Sequence, residues 1–220
     1  MISTSTLKFL KDLKKNNNRE WFAEHKHEYE ASKENVVAFV TEIIKQLSKT
    51  LPEYKVVIAA KTVARIYRDV RFSKNKDPYK LNFGIMLSPK GRGVDGPGVY
   101  LHIQPGGCFI GGGYWMPQGE TLKMIRQEID YNSEDFKKIL TAKSFKKFYD
   151  GLSEEDKLKT SPKDYPKDHP EIELLKLKSF VCFHSLSDAQ LQEKSSVKLI
   201  ADAIIALQPL VAFLDSAIQK

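Results

Sequence analysis

Three of the chain's six arginines, Arg65, Arg68 and Arg71, crowd into the stretch RIYRDVRFSKNKDPYK (65–80). Guanidinium forks grip carboxylate and phosphate through paired, charge-assisted hydrogen bonds. Lys74, Lys76 and Lys80 follow around a turn set by Asp77 and Pro78. Residues 61–80 hold seven basic side chains against Asp69 and Asp77, so most of the chain's net charge of +7 sits in this one segment. A chain basic all over would suit non-specific binding to nucleic acid or an anionic membrane. A focused excess favours a local anion site.

Read as a strand, the segment alternates. Thr62, Ala64, Ile66, Val70 and Phe72 form a core-facing series, and Arg68 falls inside it. Val63, Arg65, Tyr67, Asp69 and Arg71 point the other way. An arginine at a core-facing position needs an acceptor, because an unpaired buried charge is costly. The acceptor is either a protein carboxylate, for which Glu20 is a natural candidate, or a ligand. Asp69 can orient an arginine toward a ligand or bridge two arginines as a surface ion pair, and the pattern fits both. Lys76 and Lys80 would supply outer charge. Tyr79, Tyr114 and Trp115 would form an apolar wall of the kind ligand pockets have, with Arg126 as a further contact.

Other motifs carry less. GRGVDG (91–96) spells G-x-G-x-x-G, but Pro97, Gly98 and the strand-like VYLHI follow it, so it reads as a hairpin loop and not as the strand-to-helix turn of a dinucleotide site. GGCFIGGGYW (106–115) lacks the G-K-[ST] of a phosphate-binding loop; its glycines mark a deformed strand or a pocket lining. The five histidines show no metal spacing, and no nucleophile elbow is present. Asp168 and His169, adjacent in a loop, are the one candidate acid/base pair should the protein be an enzyme. No cofactor or metal is expected.

These residues need elements to hold them. Ser3 and Ser5 can cap a helix with Leu7, Leu10 and Leu13 on one face, and Asn18 can cap a second running from about Arg19 toward Leu51, ended by Pro52. Residues 56–72, 81–87, 99–103 and 108–115 read as strands joined without helices, hence an antiparallel meander. A helix over ETLKMIRQEI, lysine-laced helical segments to about residue 150, an irregular proline-rich stretch at 161–170 and an amphipathic region over 187–220 follow, with Pro209 kinking or restarting the last helix. The expected architecture is a single α+β domain over 1–220, with N-terminal helices, a central antiparallel sheet and C-terminal helices. No apolar run approaches membrane-spanning length, the N-terminus lacks a secretory pattern, and Cys108 and Cys182 stand alone; a cytoplasmic location follows as an expectation.

Four stretches together resemble the DUF2461 (TIGR02453) group of uncharacterised bacterial and fungal proteins. They are NNNREWF with Lys26 and Tyr29, RIYRDVRFSKNKDPYK, GGGYWMP with LKMIRQEI, and LKTSPKDYPKDHPEIELLKLKSF. They span most of the chain in the expected order. Asp164 stands where the pattern has glycine, and Asn75 where it has an acidic residue. The resemblance implies that the arginine segment, Arg126 and the Asp168–His169 stretch share one framework, and it implies no catalysis. The leading expectation is a protein binding a small anionic ligand, phosphorylated or carboxylated. The rivals are a nucleic-acid binder stacking bases on Tyr67, Phe72 and Tyr79, and a structural protein whose arginines are paired internally.

Overall fold

Ser3 opens the chain's first helix as expected, its hydroxyl accepting the Thr6 N–H at 3.1 Å. In the computed structural model, which describes residues 1–91 and 93–219, that helix is α1 (Thr4–Lys15), burying Leu7, Phe9, Leu10 and Leu13. The expected long second helix is two. Asn18 caps α2 (Arg19–Glu24) by accepting the Trp21 N–H at 2.9 Å, His25 interrupts with φ −103° and ψ 17°, and α3 (Lys26–Leu47) continues. α1 packs on α3, whose Val36, Phe39, Val40, Ile43 and Leu47 recur at helical spacing and are buried. α3 ends five residues before Pro52, which instead starts a 3-10 turn (Pro52–Val56).

Residues 56–72 correct the sequence reading. They form no ladder strand: α4 (Ala59–Thr62) is followed by an extended stretch that carries isolated antiparallel bridges, Val63 to Ile85 and Tyr67 to Tyr79. The expected alternation survives from Ala64 to Arg71, where Ile66 is buried, Ala64, Arg68 and Val70 are half-buried, and Arg65, Tyr67, Asp69 and Arg71 are exposed. It fails at the two ends: Val63, bridged to Ile85, is buried, and Phe72 is 96% exposed, because the chain folds back on itself after Arg68.

The sheet has four antiparallel strands in chain order: β1 (Phe83–Leu87), β2 (Gly98–Ile103), β3 (Cys108–Tyr114) and β4 (Phe180–Leu186). Between β3 and β4 lie α5 (Gly119–Tyr131), α6 (Ser133–Thr141), α7 (Lys143–Lys146) and α8 (Ile172–Leu175); after β4 come α9 (Asp188–Gln192) and α10 (Ser196–Ala217). The architecture is α+β. GRGVDG lies in the β1–β2 connection, except that Arg92 is outside the described residues.

α10 runs through Pro209 without restarting. It is also long and apolar enough, by length and composition alone, to cross a membrane, the one such helix among the described residues, and so corrects the expectation that no such run exists. Its Ile200, Ile204, Leu207, Leu210 and Leu214 are buried within the protein.

The chain divides into two compact units: residues 1–93, 100–110 and 185–202, and residues 94–99, 111–184 and 203–220. The first holds α1 to α4, β1 and the arginine segment. The second holds α5 to α8, Trp115 and His169.

Candidate functional site

The arginine segment is an irregular hairpin. Arg68 N–H donates to the Pro78 carbonyl at 2.9 Å and Lys80 N–H to the Ile66 carbonyl at 2.8 Å, closing a loop over residues 69–77. The returning limb is clamped from its other side by Asn17, whose amide donates to the Tyr79 carbonyl at 3.0 Å and accepts the Tyr79 N–H at 3.1 Å, as a neighbouring strand would. Tyr79 is 5% exposed and stacks on Phe22 with ring centroids 4.0 Å apart; Tyr67 lies 5.4 Å from Tyr79. The helix-start motif NNNREWF thus carries three separate duties. Asn16 donates to the Asp12 carbonyl at the end of α1, Asn17 holds the hairpin, and Asn18 caps α2.

The three arginines part company, and Arg65, before the loop, is exposed. Arg71 is committed to Asp69, donating through Nε at 3.0 Å and Nη2 at 2.7 Å to the carboxylate, while both side chains stand in solvent. The guanidinium holds the Asp69 carboxyl below its usual range, with the Arg71 backbone N–H and the more distant charge of Arg65 adding to the effect. Lys76 Nζ donates to the Val70 carbonyl at 3.0 Å, and Asn75 and Asp77 close an Asx turn.

Arg68 is different. It is half-buried, and its acceptors are the Asp77 backbone carbonyl at 2.9 Å and the Ser73 hydroxyl at 3.3 Å. Neither is charged, and Glu20, the carboxylate expected to meet it, is not an acceptor. Arg68 lines an open hollow of about 210 Å³, together with Asn17, Asn75, Asp77, Tyr79, Lys80, Leu81 and Asn82. Asp77 is the single carboxylate in that lining among the described residues.

The second unit holds the remaining predicted residues. Tyr114 is buried, and burial first, then the Asp95 carboxylate, pushes its phenol up to about 12. Trp115 is exposed at a turn where Met116 takes φ 48°. Arg126 donates to the Leu177 carbonyl at 3.2 Å, its Nε is buried with no partner among the described residues, and burial lowers its pKa. The glycines of β3 serve packing: a Cβ on Gly113 (φ 117°) would sit 1.9 Å from the Phe180 carbonyl oxygen, and one on Gly112 2.7 Å from that of Gly98. Those positions face backbone and leave no room for a ligand.

The structure gives His169 a carboxylate partner other than its neighbour Asp168. Asp168 is exposed, and the carboxylate on His169 is Asp130, 2.9 Å from Nε2. His169 Nδ1 accepts the Glu171 N–H at 3.1 Å, so both ring nitrogens are occupied by the protein. A general base needs one nitrogen free for substrate. His169 is a brace between α5 and the proline-rich loop. Among the described residues no group of three His, Cys, Asp or Glu side chains is placed to hold a metal ion.

A family model described as a conserved hypothetical protein (DUF2461) matches residues 5–213. No curated protein and no solved structure matches the chain.

Proposed function

Because the chain belongs to the DUF2461 family of conserved hypothetical proteins, whose description carries no activity, the reading has to come from the residues, and we propose that the protein binds a small anionic ligand in the hollow beside Arg68. The observation that carries this is a half-buried guanidinium whose protein partners are all neutral. A carbonyl and a hydroxyl fix the fork's direction without cancelling its charge, and Arg68 lines a hollow with Lys80, three asparagines and one carboxylate, Asp77. Carboxylate and phosphate groups match such a fork. At about 210 Å³ the hollow is smaller than most drug-sized ligand pockets, so it suits one anionic head group.

Arg71 stands outside this site, since Asp69 already fills its fork. The nucleic-acid reading loses one of its three rings, because Tyr79 is buried against Phe22. The buried thiols of Cys108 and Cys182 support a reducing, cytoplasmic setting.

Thermal-shift titrations with inorganic phosphate, pyrophosphate and citrate at fixed ionic strength test the site. A ligand at a hundred times its dissociation constant adds about 2.7 kcal/mol, which raises the midpoint of a chain this size by roughly 5–10 °C. The shift is expected in the wild type and in Arg71→Ala and absent in Arg68→Ala. A shift that persists in Arg68→Ala, or none in any protein, overturns the assignment.

A further inference from the structure

Beside the Arg68 hollow lies a larger cleft of about 520 Å³ with a basic rim and an apolar floor. The rim is Lys11, Lys14 and Lys15 on the last turns of α1; the floor is Leu10, Leu81 and Pro105. Leu81 lines both hollows, so the two adjoin along the strand entry Lys80–Leu81–Asn82. The volume lies within the usual range for small-molecule sites, which the Arg68 hollow alone does not reach.

The walls of this cleft are fixed and not incidental. Asp188 ties them together: its carboxylate accepts the Gly106 N–H at 2.9 Å, holding the turn between β2 and β3, and stands 3.6 Å from Lys11 Nζ on α1. Gln104, on the same turn, is held by His102 Nε2 at 3.3 Å, and the His102 ring stacks on Phe109 at 4.8 Å. Lysines at a helix C-terminus offset the helix dipole wherever they occur. That duty explains their presence in the last turn and leaves the apolar floor beneath them unexplained. Lys14 and Lys15 have no ion-pair partner among the described residues.

We infer that the cleft is a second subsite of the same ligand, which is therefore an elongated small molecule with an anionic group at each end and an apolar middle. One end lies in the Arg68 fork, the middle crosses Leu81 and Leu10, and the other end meets the lysine rim. This rests on the Arg68 site proposed above and names its ligand class. Joining two weak anion contacts through a fitting linker makes the second contact intramolecular, so affinity rises sharply only when the linker spans the sites.

Calorimetric titration with a series of α,ω-alkane bisphosphates of increasing chain length, each beside the alkyl monophosphate of equal length, tests this at fixed ionic strength. The expected result is a maximum in bisphosphate affinity at one chain length, there about ten-fold or more tighter than the matched monophosphate. In the double variant Lys14→Ala/Lys15→Ala the ratio falls to about one; both positions are exposed, so the fold survives. In Arg68→Ala both members of each pair lose affinity. Monophosphate binding with no bisphosphate advantage, or an advantage that survives the lysine variant, overturns the second subsite and leaves the Arg68 site standing. No binding of either compound by the wild type overturns both. Tighter binding of a six-residue oligothymidylate, steepening as salt is diluted, would replace the small ligand with a nucleic-acid strand.

Discussion

Asn17 does the work of a missing strand with one side chain. Its amide satisfies both backbone groups of Tyr79, which are part-buried, and so fixes the limb that carries Lys80 into the hollow. Asn17→Ala strands an N–H and a carbonyl, a change worth about 2 kcal/mol and a midpoint lower by roughly 4–8 °C. Asn17→Asp keeps the acceptor and loses the donor, so its midpoint should fall between wild type and alanine; an alanine variant melting with the wild type would show the clamp to be dispensable. His102 gives a pH-dependent counterpart in the wall of the larger cleft. Burial lowers its pKa, with the Gln104 bond opposing more weakly. A depressed folded pKa means the unfolded chain takes up the proton first. The stability from neutral His102 is therefore complete above the ordinary histidine pKa near 6.5 and is lost as pH falls from there through the folded value. Denaturant titrations between pH 7.5 and pH 5 should show that decline in the wild type and a flatter profile in His102→Gln. An equal decline in both would assign the acid sensitivity to other groups.

At the scale of elements, β3 is where sequence and backbone are most tightly matched. Gly113 carries φ 117° and lies against the Phe180 carbonyl, whereas Gly91, also at positive φ, has nothing within 4 Å of the position a Cβ would take. Gly113→Ala should cost more than about 4 kcal/mol or abolish soluble folding, while Gly91→Ala pays only the backbone strain of about 1 kcal/mol. Comparable losses in the two variants would mean the β3–β4 contact yields easily. The same contrast explains what could be read beforehand. Caps at Ser3 and Asn18, the glycine-marked strand and the arginine segment are local signals, visible as residue types at fixed offsets. β4 was also local: FVCFHSL between Ser179 and Ser187 is a strand-like run, overlooked behind a proline-rich stretch that reads as loop. The error over residues 56–72 had another source. β-branched and aromatic content reports the ability to pair, but pairing needs a neighbour, and here it amounts to one bridge to β1, Val63 to Ile85, and one to the chain's own return limb, Tyr67 to Tyr79. Long-range partners were not legible at all. Nothing near His169 in sequence points to Asp130, 39 residues earlier, and nothing near Asn17 points to Tyr79, 62 residues later.

For the molecule as a whole, the two cysteines offer one probe in each compact unit. Cys108 belongs to the first and Cys182 to the second, and the divisions between units fall inside β2, β3 and β4. Both thiols are buried. Burial pushes Cys182 up to about 12, and burial first, then the nearby Asp188 charge, pushes Cys108 up to about 11. Because the thiolate is the reactive form, neither side chain should be alkylated at pH 8 until its surroundings open. The raised folded values also have a stability consequence. The neutral thiols favour the folded state below the ordinary value of 9.0, and that contribution disappears as pH climbs from there through 11 and 12. Three of the four strands, β2, β3 and β4, contribute residues to both units, so neither unit can melt alone and leave their ladders intact. Labelling with iodoacetamide across a urea series at pH 8, followed by mass analysis of the two peptides, should therefore give one midpoint for Cys108 and Cys182. That midpoint should coincide with the loss of circular dichroism. Labelling of Cys182 at distinctly lower urea than Cys108, or the reverse, would show the two units unfolding as separate domains and would refute the single cooperative fold expected for residues 1–220.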